Sequence, residues 1–364
     1  MPKFRFCCFY LLTIFLVNSQ TTQAQADTTR STRSALILPL ALRSIETDWS
    51  FGLAGSFTFR LSKADTAART SNLQALALYS VRRQFISVLN GATYFPGERY
   101  ILNHQLSYSY FPDKFWGLGK LTPDSNEENY IFRQYYIYLH LQRRLVGKLF
   151  AGLLYEYQRL LKIDYLAGGL FDRQDVTGRY SYAVSGLGAS LTYDTRNNAF
   201  ASDRGTLMQI SFNNFLPALG SDFRYTNVVL DLRKFIPLHR RQVLALQAYG
   251  YFTAGEVPLR SLASLGGATN MRGYYDGRYR DKNQLVFQSE YRVPLFWRLG
   301  AVVFANAGNV AGRLDELNLH NVKYSYGGGL RFALNKTERL NIRVDYGIGQ
   351  GTSRGFYFQL GEAF

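Results

Sequence analysis

From Leu340 to Ile348 large apolar side chains (Leu340, Ile342, Val344, Tyr346, Ile348) alternate with polar or small ones (Asn341, Arg343, Asp345, Gly347). Successive side chains of an extended strand point to opposite faces, so a period of two sets one face against an apolar environment and the other against a polar one. The alternation recurs along the chain. Leu102, Leu106, Tyr108 and Tyr110 oppose Asn103, Gln105, Ser107 and Ser109, and Met208, Ile210 and Phe212 oppose Gln209, Ser211 and Asn213. Tyr324, Tyr326, Leu330, Phe332 and Leu334 oppose Lys323, Ser325, Gly329 and Arg331. In the last segment Phe356, Phe358, Leu360 and Phe364 share one face, interrupted by Glu362.

The pattern predicts strands over 35–44, 48–61, 71–81, 83–96, 100–112, 129–145, 148–163, 182–196, 205–217, 223–238, 242–253, 284–295, 299–310, 323–334, 340–349 and 355–364. A soluble sandwich also alternates, so spacing has to decide. Roughly sixteen strands at about 21 residues apiece suit a membrane barrel, whose strands need about ten residues plus turns. Aromatic pairs near segment ends, such as Tyr94-Phe95, Tyr110-Phe111 and Tyr135-Tyr136, sit where interfacial girdles belong. The fold expected is therefore all-β, a transmembrane antiparallel barrel of sixteen strands over 35–364. With an even count both termini lie on the periplasmic side, and the connections 113–128, 164–181, 254–283 and 311–322 fall on the outer side.

Composition narrows the setting. The 364 residues carry a formal charge of +16, 16% aromatics and only 9 prolines. No apolar run approaches the roughly 18 residues of a spanning helix, which excludes a helical membrane protein. The aromatic and β-branched content excludes a disordered chain. The two cysteines, Cys7 and Cys8, fall in an N-terminal stretch with Lys3 and Arg5 ahead of the apolar run Phe9 to Val17 and Ala24-Gln25-Ala26 behind it. That is the layout of a secretory signal, residues 1–26, leaving 27–34 as a short periplasmic segment. Arg143-Arg144 and Arg240-Arg241 are read either as contacts to anionic headgroups, of outer-membrane lipid and lipopolysaccharide, or as solvated turn residues.

The longest connection holds the run Leu265-Gly266-Gly267-Ala268-Thr269-Asn270-Met271-Arg272-Gly273-Tyr274-Tyr275. With its spacing from Ser289-Glu290-Tyr291-Arg292 and Phe304-Ala305-Asn306-Ala307-Gly308, and with the C-terminal strand pattern, it resembles the BamA/TamA superfamily of outer-membrane assembly proteins, the bacterial surface antigen family. The resemblance implies a sixth external loop folded into the lumen. Its arginine, here Arg272, would meet acidic residues of the following strands, here Glu290 and, at the usual aspartate position, Asn306. That amide leaves the arginine one carboxylate instead of two. Independently of the family, alternation sets Glu290 with Gln284, Gln288 and Arg292 on the polar, lumenal face, where a carboxylate shielded from water calls for a guanidinium. A lone Arg-Gly-Tyr would read as a solvated loop; Gly266-Gly267 before it and Glu290 after it favour a lumenal lock.

Enzymatic readings are weak. His104, His140, His239 and His320 lie on separate segments without ligand spacing, each read as a surface or girdle histidine, and Ser107 lies on the face opposite His104. No metal, cofactor or nucleic-acid signature is present. Only Asp27 to Ser34 precede the first strand, too few for the periplasmic POTRA domains usual in the family. The expectation is thus a barrel in the outer membrane of a Gram-negative bacterium, taking part in insertion, assembly or translocation of unfolded barrel or secreted proteins delivered by a periplasmic or outer-membrane partner. In the family the first and last strands pair weakly and can part. The alternative is a channel-forming or structural barrel without assembly activity, since fold alone does not establish function.

Overall fold

The computed structural model describes residues 33–62, 68–198, 201–318, 320–335 and 339–364; the signal-peptide reading of 1–26 lies outside them. The first half of the wall comprises β1 (Arg33–Ser44), β2 (Asp48–Phe59), β3 (Ser71–Ser80), β4 (Phe85–Tyr94), β5 (Tyr100–Phe115), β6 (Glu128–Val146), β7 (Leu149–Asp164) and β8 (Tyr182–Asp194). It continues with β9 (Gly205–Phe215), β10 (Tyr225–Pro237) and β11 (Val243–Gly255). Two short strands, β12 (Ala263–Leu265) and β13 (Tyr279–Asp281), pair with each other within the long loop. The wall resumes with β14 (Asn283–Pro294), β15 (Leu299–Ala311), β16 (Lys323–Asn335), β17 (Leu340–Ile348) and β18 (Arg354–Leu360). Among the described residues sixteen strands, each antiparallel to its neighbours, close into one barrel when β1 meets β18. The first strand begins at Arg33 and so takes up the last two residues of the segment read as 27–34.

The period of two sorts the wall. Leu153, Met208, Ile210, Phe287, Val303 and Tyr326 are exposed on the outside, while their alternates Gln209, Ser211, Gln288 and Ser325 turn inward. Register carries this sorting from strand to strand: Glu290 lies opposite Phe304, and Asp345 opposite Gly329 and Tyr357. One end of the barrel has tight connections, such as Gly147-Lys148 between β6 and β7. The other carries the long loops after β5, β7, β11 and β15. Arg143-Arg144 and Arg240-Arg241 fall at the end with tight connections.

The C-terminal segment departs from expectation. The last strand stops at Leu360, and Gly361, at φ +86°, turns the chain. Phe356 and Phe358 share the outer face, but Phe364 does not join them. It packs with Phe235, Val243 and Ala245 in a buried cluster, all on the inward side of β10 and β11. Strict alternation cannot pass through a left-handed glycine, so the parity of Phe364 was lost there.

Candidate functional site

The loop between β11 and β14 approaches the wall through its Arg-Gly-Tyr triplet. Gly266 and Gly267 build the turn that precedes it: the Gly266 amide donates to the Asn270 carbonyl at 2.9 Å and the Gly267 amide to the Tyr274 carbonyl at 2.9 Å. Met271 and Tyr274 then pack with Leu265 and Tyr279 of the loop against Val286 and Val310 of β14 and β15.

Arg272 is wholly buried, at 0% exposure, as are Glu290 and Asp345. Its Nη1 donates to Asp345 Oδ2 at 2.7 Å. Its Nη2 stands 2.5 Å from Glu290 Oε1, an ion pair without hydrogen-bond alignment. The guanidinium carbon lies 3.7 Å from the centre of the Phe304 ring, a cation–π contact strengthened by the lack of water. The second carboxylate is therefore present, but it comes from β17 and not from the position of Asn306. Asn306 is buried and donates to Ser325 Oγ at 2.9 Å, with no hydrogen bond to Arg272.

A network surrounds this triad. Arg292 Nε donates to Glu290 Oε2 at 2.8 Å, and its Nη2 to the Phe364 carbonyl at 3.2 Å. Arg331 donates to Asp345 Oδ1 at 2.5 Å and to Glu362 Oε2 at 2.8 Å. Arg343 Nη1 reaches Asp345 Oδ2 at 3.0 Å, while its Nη2 holds the loop carbonyl of Ala268 at 2.8 Å. Part of the chain's basic excess is thus neutralised inside the barrel.

Gly273 follows at φ +108°, and the loop backbone there lies directly on β17: a Cβ on Gly273 would meet Gly349 N at 2.9 Å, and one on Gly347 would meet Gly273 N at 2.7 Å. Its amide donates to the Tyr357 hydroxyl at 3.0 Å. The Tyr274 hydroxyl donates to the Tyr324 carbonyl at 2.9 Å and accepts the Gln350 amide at 2.8 Å.

A second set of contacts was not foreseen. Asp113 of β5 accepts from Tyr130 at 2.7 Å, Tyr275 at 3.0 Å, Arg280 at 3.1 Å and Arg260 at 3.3 Å, the last three from the loop. The Asp276 amide donates to Glu46 Oε1, in the β1–β2 turn, at 3.0 Å. Burial pushes the Glu46 carboxyl up to about 7 and raises that of Asp276 as well. The loop consequently grips β17 and β18 on one side of the closure and β5 and the β1–β2 turn on the other. Loop acidity gave no sequence signal for Asp113, a lone aspartate after Phe111-Pro112. One histidine also differs from its expected place: His140 is buried, with Nε2 2.7 Å from Ser190 Oγ.

A closed, sixteen-stranded antiparallel barrel, apolar outside, with a loop arginine clamped by inward-facing carboxylates, defines a class of outer-membrane-type barrels. The profile of the Omp85 superfamily domain matches residues 50–364, and the chain belongs to that superfamily. Among solved structures it is similar to BamA from Haemophilus ducreyi lacking POTRA domains 1-3, at 16% identity and TM-score 0.55, covering 92% of this chain and 70% of that one. It is also similar to CdiB from Acinetobacter baumannii, at 13% identity and TM-score 0.58 over 90% of this chain and 59% of that one. For CdiB from Escherichia coli the values are 14% and 0.59, over 90% and 62%. The chain spans about three-fifths of the length of the two CdiB structures. Among curated proteins none matches.

Proposed function

We propose that this barrel resides in the outer membrane of a Gram-negative bacterium and assists the insertion or translocation of envelope proteins, working with a partner that delivers them. The reading rests chiefly on the closure between β1 and β18, where Arg43 and Phe358 are the only aligned pair among the described residues. By contrast β1 aligns with β2 along its whole length, from Arg33–Phe59 to Ser44–Asp48. Pro39, midway along β1, has no N–H to give.

The side chains of β1 support the same reading. Ala35, Ile37, Pro39 and Ala41 face out, and Leu36, Leu38, Leu40 and Leu42 face in, lining a cavity of about 370 Å³ with Gln359 and Leu360 of β18. A strand apolar on both faces can turn either one to lipid at little side-chain cost. Its unpaired backbone groups, costly in a bilayer, would be satisfied by an incoming strand. The mechanism is physical, with no covalent step, and the loop held by Arg272 braces both sides of the closure. An open pore is the less favoured alternative, because the loop and the tail 361–364 both occupy the interior.

Mild-detergent purification from native outer membranes, followed by mass spectrometry of stoichiometric companions, tests the proposal. A retained partner with periplasmic chaperone-like domains, or a trapped unfolded barrel or secreted protein, is the expected result. A lone barrel that conducts ions in planar bilayers would favour the pore.

A further inference from the structure

On the outer wall of β2 to β7 the register assembles three neighbouring rows. The middle row runs Leu53, Ala77, Ser87, Tyr108, Tyr135, Arg159. The row toward the strand ends that carry the long loops is Phe51, Tyr79, Phe85, Tyr110, Arg133, Lys162, and the row on the other side is Gly55, Ala75, Leu89, Leu106, Ile137, Tyr157. Small residues at 55, 75, 77 and 87 leave a depression between taller side chains. This groove, about 920 Å³, is walled by Leu53, Leu106, Tyr108, Tyr135 and Tyr157, and Arg159 stands at its edge.

On β6 the outward side chains Tyr135, Ile137, Leu139 and Leu141 form an apolar band bounded by Arg133 above and Arg143 below; on β7 Arg159 follows Leu153, Tyr155 and Tyr157, with the exposed Leu161 and then Lys162 beyond it. Arg133 and Arg159 are exposed. Neither has a carboxylate partner among the described residues. Arg133 rests on the Tyr110 ring at 5.3 Å, and the neighbouring Lys162 is already paired with Asp164 at 2.8 Å. An arginine on the lipid face costs about 2–4 kcal/mol at the bilayer centre and close to nothing at the interface. Two of them toward the outer side of the band, without carboxylate partners and beside an apolar groove, form a complement to an anionic amphiphile.

We propose that this ledge and groove bind a phosphate-bearing, multiply acylated lipid of the outer leaflet, with Arg133 and Arg159 on its phosphate and the acyl chains in the groove. The inference rests on the membrane placement proposed above but is independent of any role in protein assembly. Its occupant is lipid because the groove is continuous with the outward apolar band, which no aqueous partner can reach.

The test reconstitutes the full chain into phosphatidylcholine vesicles doped with a diphosphorylated, multiply acylated glycolipid or with the same glycolipid lacking phosphates, and measures retained lipid by native mass spectrometry. Flotation with the vesicles and a heat-dependent gel shift report insertion and folding separately, so failure to float would overturn the membrane placement and not only the site. The wild type should retain the phosphorylated form preferentially. Arg133→Gln with Arg159→Gln should lower retention about 25-fold, on the order of five-fold per arginine. Arg133→Lys with Arg159→Lys should keep most of it, and the charge-matched control Arg173→Gln with Arg313→Gln should change little. Equal retention of the two glycolipids by the wild type, or undiminished retention by the folded double glutamine variant, would overturn the proposal.

Discussion

Arg272 carries two carboxylates at once, one on each side of its guanidinium, and this decides what its replacement does. Arg272→Ala leaves Glu290 to Arg292 and Asp345 to Arg331 and Arg343, but it removes the loop's ion pairs and empties the buried space over Phe304, which should cost about 3 kcal/mol. Arg272→Lys keeps a charge but reaches only one carboxylate, and the loss should be about 2 kcal/mol. Urea midpoints of the folded barrel, read by gel shift, would order the three proteins. An alanine variant as stable as the wild type would contradict the lock. Glu46 makes the opposite kind of prediction. Its carboxyl sits near 7 in the folded protein against 4.5 in the open chain, so the folded state holds its proton more tightly. The stability this gives is fully present below the ordinary carboxylate range and is lost as pH rises through about 7. Stability should therefore fall between about pH 5 and about pH 8.5, by an amount on the order of 3 kcal/mol, and the melting temperature with it. Glu46→Gln, still able to accept the Asp276 amide, should flatten that slope; an unchanged slope would exclude Glu46 as its source.

Arg272 and Glu290 were legible from motif and parity, because alternation tells which way a side chain faces. It does not tell what lies across a lumen. Asp345 sat in plain view on the polar face of 340–348, yet nothing local connects it to a loop some 73 residues earlier. The same holds for Phe304, whose inward parity could be read but whose role beneath Arg272 could not.

Among the elements, the strands were legible nearly to their ends, since each carries its own alternation and is bounded by turn residues. The ribbon of β12 and β13 was missed because three residues show no period. The tail was misread because Gly361 breaks the register that parity assumes. Its consequence is testable. Phe364 packs at the base of the barrel while Glu362 ties Arg331, so the tail and the loop share one charge network through Arg331 and Arg292. Phe364→Ala should destabilise the barrel by about 3 kcal/mol. It should also render the loop more susceptible to protease, because Arg292 loses its cover over Glu290. Destabilisation with no change in loop cleavage would show that the two are not coupled.

For the whole molecule, strand spacing alone pointed to sixteen strands and closure, and the Omp85 superfamily assignment rests on residues 50–364. The proposed function rests on the closure between β1 and β18, where the register aligns Arg43 with Phe358. Arg43 and Phe358 face each other across the closure, and directly paired strand residues lie about 4.5–5.5 Å apart between Cα atoms, within reach of a disulfide. Arg43→Cys with Phe358→Cys therefore permits the closure to be sealed by oxidation and released by reduction. The deciding measurement is the rate at which a urea-diluted outer-membrane barrel protein inserts into vesicles carrying this double variant. The reduced form should accelerate insertion over empty vesicles and the oxidised form should not. Equal rates for reduced, oxidised and empty vesicles would contradict a role in protein insertion through the β1–β18 closure.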